Sequence, residues 1–125
     1  MSEETERKPG GISIHAVDVA NGVPGAGLEV HLWRIDGNRI EIASGTCEET
    51  GLLKHPVAEG VGVIRGLYEV EFGVGRYYQN RGVTEPDPSF VDIAIFRFGI
   101  DKVHEHFHLP FKFTPWGFSL FRGGA

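Results

Sequence analysis

The chain carries one cysteine, Cys47, so no intrachain disulfide can form and a reducing, cytoplasmic setting is the default expectation. It lacks an apolar run of the length that a membrane span requires. The opening stretch, residues 1–11, is polar and has no apolar centre of the kind a secretory leader needs, and it reads as a disordered tail. Basic charge is also short: the formal net charge is −5, whereas nucleic-acid binding asks for clustered Lys and Arg. With 125 residues there is room for one core and not two, which predicts a single domain over residues 12–125.

Glycine is abundant at 18 residues, as expected of a chain with many tight turns. Between the turns, apolar residues alternate with polar ones. Residues 12–18 are β-branched and short, and end in the turn residues Asn21, Gly22, Pro24 and Gly25. Leu28, Val30 and Leu32 face one way against Glu29, His31 and Trp33. Asp36, Gly37 and Asn38 signal a hairpin whose return strand runs from Arg39 to Ser44. Tyr68, Val70 and Phe72 alternate with Glu69 and Glu71. A short helix is expected around Gly75 to Asn80. The segment Phe90 to Phe98 is apolar on both faces and reads as a central strand. Seven or eight short strands with one short helix predict an all-β sandwich.

The chemistry concentrates near the carboxy terminus. His104, His106 and His108 fall at spacing two, so on one extended strand all three imidazoles share a face. Phe107, Leu109, Phe111 and Phe113 fall on the opposite face and read as core. Imidazoles gathered on one face belong to a metal site or to a wet site where protons move. No carboxylate stands at metal-ligand spacing on a neighbouring strand, and proton transfer is the favoured reading. His31 and His55 read as surface or capping residues, and Cys47 as a thiol without a catalytic partner.

Residues 14–18 followed by Gly22-Val-Pro24-Gly25 resemble the first strand and turn of the transthyretin-related hydroxyisourate hydrolases. So do Gly66-Leu-Tyr68, His106-Phe-His108-Leu-Pro110, Pro115-Trp-Gly117-Phe-Ser119 and the terminal Phe121-Arg122-Gly123-Gly124. The resemblance runs through nearly the whole chain from residue 11. It implies a transthyretin-like (prealbumin) β-sandwich and a homotetramer with sites where two dimers meet. It implies no metal and no other cofactor, while the charge and the absence of long apolar runs already speak against a nucleic-acid or membrane partner. It also implies a small-molecule substrate: water opens a cyclic amide in purine (urate) degradation. His15 and His108 correspond to the catalytic pair, one taking a proton from water while the other protonates the leaving nitrogen. Arg122 corresponds to the signature arginine, with Gly123, Gly124 and His106 beside the substrate.

Three positions depart from that pattern. Leu52 stands where the family has a substrate-binding arginine, Phe121 replaces a tyrosine, and Gly124 replaces a serine. Lys54 and Lys112 are the cations available to take over from the missing arginine. The departures leave two other readings: hydrolysis of a less anionic or alkylated purine ring product, and non-catalytic binding of a small ligand in a transthyretin-like channel.

Overall fold

The structure is a computed structural model that describes residues 7–124; residues 1–6 of the expected tail, and Ala125, lie outside the described residues. Alternation along the chain decides the architecture. In β1 (Ile12–Asp18), Ile12, Ile14 and Ala16 are buried while Ser13, His15 and Val17 stay half-exposed on the other face. β2 (Val23–Pro24) follows the Asn21-Gly22 turn, and β3 (Glu29–Asp36) turns into β4 (Asn38–Thr46) at Gly37, whose φ of +70° suits glycine. Then come β5 (Gly66–Phe72), the helix α1 (Val74–Asn80), β6 (Ala94–Ile100), β7 (Phe107–Thr114) and β8 (Gly117–Leu120). A turn of 3-10 helix at Pro56–Glu59 is capped by His55, whose Nδ1 accepts from the Val57 N–H at 3.0 Å, the capping role its sequence context predicts.

Among the described residues the strands form two four-stranded sheets, ordered β2-β1-β7-β8 and β4-β3-β5-β6. They pack face to face through the residues the alternation singled out, Leu28, Val30, Leu32, Tyr68, Val70 and Phe72 from one side and Leu109, Phe111 and Phe113 from the other. Phe72 of β5 stacks on Phe111 of β7 with ring centroids 3.8 Å apart and planes within 4°. That stack fixes the inner face of β7, and so aims its alternate residues, His108, Pro110 and Lys112, outward.

Two expectations are corrected. The apolar stretch Phe90 to Phe98 does not form a central strand: β6 begins at Ala94 and is the edge of its sheet, leaving Ile95 54% exposed. Nor do the three histidines share one strand. β7 starts at Phe107, because a turn at residues 103–105, closed by the Glu105 N–H donating to Lys102 O, ends the extended run and carries His104 with it. At the other end, Gly10 and Gly11 are tied into the sandwich: the Gly10 N–H donates to Val103 O and Gly11 O accepts from the Phe107 N–H, each at 2.9 Å.

Beneath the helix lies a polar cluster within the core. Asp18, fully buried at the end of β1, accepts from Tyr78 OH at 2.7 Å, Tyr77 OH at 3.0 Å, and Asn21 through its amide at 2.7 Å and its backbone N–H at 3.3 Å. Burial works to raise the Asp18 carboxyl, and the hydrogen bonds outweigh it, holding the group below its ordinary value. The cluster pins α1 to the far end of the strand that carries His15.

Candidate active site

The outer face of the β2-β1-β7-β8 sheet gathers the histidines. β1 and β7 pair in parallel with Ser13 opposite His108 and His15 opposite Pro110. Partners across a ladder project to the same side, so Ser13, His15 and His108 lie together on the half-exposed face. A third strand-like contact completes it: Leu52 bridges His15 across the other edge of β1. The Gly51 turn sets this up, with φ +86° and a Cβ position 2.3 Å from Ala16 O that only glycine tolerates.

Each imidazole is held by a specific partner. His15 Nε2–H donates to Thr50 O at 2.8 Å. His106 Nδ1 lies 2.6 Å from Gly10 O, and its Nε2 lies 2.7 Å from Ser13 Oγ. His108 Nδ1 lies 2.7 Å from the same Ser13 Oγ. Burial, helped by the neighbouring His106 and His15, lowers the His108 pKa and favours its neutral form. The imidazoles of His106 and His108 thus meet at a hydroxyl, and among the described residues no three His, Cys, Asp or Glu side chains converge as a metal site would need.

The carboxy-terminal segment lies over His108. The Gly123 N–H donates to His108 O at 2.7 Å, and a Cβ on Gly123 would come within 2.9 Å of the His108 ring. Arg122 braces this segment: its Nη2 donates to Glu105 Oε1 and to His106 O, each at 3.3 Å, while the guanidinium covers the Phe107 ring at 4.2 Å. Gly124 has open space where a side chain would stand.

The two lysines behave differently. Lys112 is on the same outward face as His108, with Nζ 5.9 Å from the Phe121 ring centroid. Lys54 is 80% exposed and pairs with Glu48 at 3.4 Å, an arrangement of little energetic weight in water. Cys47 is buried in the core, and burial pushes its thiol up to about 12, so no thiolate nucleophile is available there. A groove of about 690 Å³ on the outer face of the other sheet, lined by Glu29, His31, Trp33, Glu41 and Glu71, is far from these groups in the fold. Its three glutamates are already engaged: Glu29 and Glu41 with His31, whose pKa they raise, and Glu71 with Arg39.

Sequence reasoning singled out His15, His106 and His108, which the structure gathers at one end of the β1–β7 face, and missed the groups that orient them. Ser13 carried one usable signal, its position two residues before His15 and hence on the same face. The Thr50 and Gly10 carbonyls carried none.

Comparison with known proteins shows the family to which this fold belongs. Residues 12–123 match the family described as the HIUase/Transthyretin family. The 5-hydroxyisourate hydrolase of Pseudomonas aeruginosa is 36% identical over 125 residues, covering 98% of this chain and 99% of that protein. Among solved structures, Klebsiella pneumoniae 5-hydroxyisourate hydrolase superposes with a TM-score of 0.74 at 26% identity, over 94% of this chain and 96% of its own. A crystal structure of (S)-allantoin synthase gives a TM-score of 0.86 at 30% identity; it covers 94% of this chain, which spans 45% of that protein.

Proposed function

We propose, from the premise that this chain belongs to the HIUase/Transthyretin family, that it hydrolyses 5-hydroxyisourate or a close analogue, a cyclic amide of purine degradation. The observation that carries the reading is the pair His15 and His108 on one half-exposed sheet face, each with a hydrogen-bonded partner that orients its ring. Water adds to a ring carbonyl as one imidazole takes its proton. The tetrahedral adduct collapses with cleavage of the carbon–nitrogen bond, and the other imidazole delivers a proton to the departing ring nitrogen. One water is consumed, and the ring opens to an acid on one side and an N–H on the other.

Around that pair, Gly123, Gly124 and His106 border the space over His108. Arg122 holds the terminal segment in place, and Lys112 supplies a cation on the reacting face. Lys54 is the second candidate cation. The site lies on an open sheet face, and closing it against water calls for a second copy of the sheet. A homotetramer with sites between dimers meets that need. The unpaired edges β6 and β8, which expose Ile95 and Phe118, favour further association. A cytoplasmic location, favoured by the unpaired thiol of Cys47, belongs to the same reading.

The test is the decay of freshly generated 5-hydroxyisourate with wild type and with His108→Ala. Acceleration that falls by roughly 10²–10⁴-fold in the variant is the expected result, that being the usual worth of one positioned acid or base. No acceleration over buffer by the wild type would reject this substrate. Leu52, whose backbone bridges His15 at the position where the family resemblance implies an arginine, favours the second reading, a less anionic or alkylated ring as substrate. Turnover of such an analogue in preference to 5-hydroxyisourate would decide for it.

A further inference from the structure

We propose that Ser13 and His106 are positioning residues that fix His108 in the tautomer with an unprotonated Nε2, and that His108 is therefore the base of the pair. The inference rests on the hydrolase reading above for the base's task, and on hydrogen-bond valence for the tautomer. Gly10 O has only lone pairs, so His106 Nδ1, 2.6 Å away, carries a hydrogen. A neutral imidazole has one N–H, which leaves His106 Nε2 as an acceptor. Ser13 Oγ, 2.7 Å from that nitrogen, donates its only hydrogen there. The same oxygen then has only lone pairs to offer His108 Nδ1, also at 2.7 Å, so Nδ1 carries the hydrogen. The lone pair of neutral His108 is left on Nε2.

The chain of bonds runs from a backbone carbonyl through two side chains to the reacting ring. It moves no proton during turnover. When His108 Nε2 takes the proton of the attacking water, Nδ1–H goes on donating to Ser13, and the imidazolium is stabilised where it forms. His15, the other member of the pair, is oriented separately by Thr50 O.

Nitrogen NMR of ¹⁵N-labelled protein reads the tautomer directly and needs no substrate. The wild type at neutral pH should show His108 protonated on Nδ1 and bare on Nε2. Ser13→Ala should move the hydrogen to Nε2, while Ser13→Thr, which keeps the hydroxyl, should leave it in place. On 5-hydroxyisourate, Ser13→Ala should lower kcat by roughly 10²-fold, the lower end of a general base's worth, with KM changed little. An Nε2–H tautomer in the wild type overturns the proposal whether or not any variant folds, and so does a tautomer unmoved in folded Ser13→Ala. An inactive wild type with the expected Nδ1–H signal would instead count against the reaction and leave the relay standing.

Discussion

Replacing Asp18 by Asn keeps the shape of the buried cluster and removes its charge. Tyr78 and the Asn21 N–H donate to one carboxylate oxygen, Tyr77 and the Asn21 amide to the other. Whichever oxygen becomes the amide nitrogen therefore confronts two donors. A hydrogen bond to a charged partner is worth about 1.5–3 kcal/mol, so losing two costs about 3–6 kcal/mol. Burying a neutral amide in place of a carboxylate recovers part of this, leaving a net loss of about 3 kcal/mol. Domains of this kind hold only about 5–15 kcal/mol in total, and for a chain of this size such a loss lowers Tm by about 10 °C. Calorimetry on both proteins at neutral pH measures it. The acid side adds a second reading. Because the folded carboxyl lies below its ordinary value of 3.8, its contribution is complete above that value and disappears as pH falls through the folded one. Wild type should therefore lose stability into acid more steeply than Asp18→Asn. A Tm within about 2 °C of wild type, with parallel acid limbs, would refute the claim that this carboxylate ties the helix to β1.

Three further outcomes follow from the site. His108 is held below its ordinary value of 6.5 by burial and by its neighbours, so the acid limb of kcat/KM should have its midpoint below 6.5; a limb centred above 6.5 would assign the base to another group. Gly123→Ala places a methyl 2.9 Å from the His108 ring and 3.1 Å from Pro110, so the segment must lift and its bond to His108 O must lengthen; steady-state kinetics should show kcat down about tenfold, the weight of one misplaced hydrogen bond of about 1.4 kcal/mol, with Tm little changed. Leu52→Arg puts a guanidinium on the face of His15, and KM for the anionic substrate should fall by about tenfold or more if that face binds it; an unchanged KM would place the substrate elsewhere on the sheet.

The strands were legible wherever one face is wet and the other buried within the same chain. β1, β5 from Leu67 onward and β3 as far as Leu32, where a bulge interrupts it, follow the alternation because burial decides which side chains turn inward. β6 was misplaced for the same reason in reverse: Ile93 and Ile95 are apolar yet exposed, and a sequence does not distinguish apolar surface left exposed from surface buried in its own core. The strand reading of the histidine run holds only for His108: a local backbone bond from Glu105 to Lys102 ends the extended run before Phe107, leaving His104 and His106 outside β7, although His106 still reaches Ser13 Oγ beside His108. Ser13 escaped notice because its meaning comes entirely from a parallel pairing with a strand some 93 residues away, and nothing local to Ser13 announces that partner. The chemistry-bearing groups were visible, whereas their orientation was written in tertiary contacts.

The parallel pairing of β1 with β7 also bears on how the chain acquires its activity. Ser13 meets His106 and His108 across separations of 93 and 95 residues, so the reacting face is assembled by one of the longest-range closures the sheet makes. Contacts of that span wait on most of the intervening chain being ordered, since the entropy of closing so large a loop must be met first. Partly folded species can hold the local hairpin of β3 and β4 and still lack the face on which His15 and His108 come together. Turnover in a refolding experiment would therefore rise with the last structural phase and not with the first, which makes catalysis itself a clock for the completion of the fold.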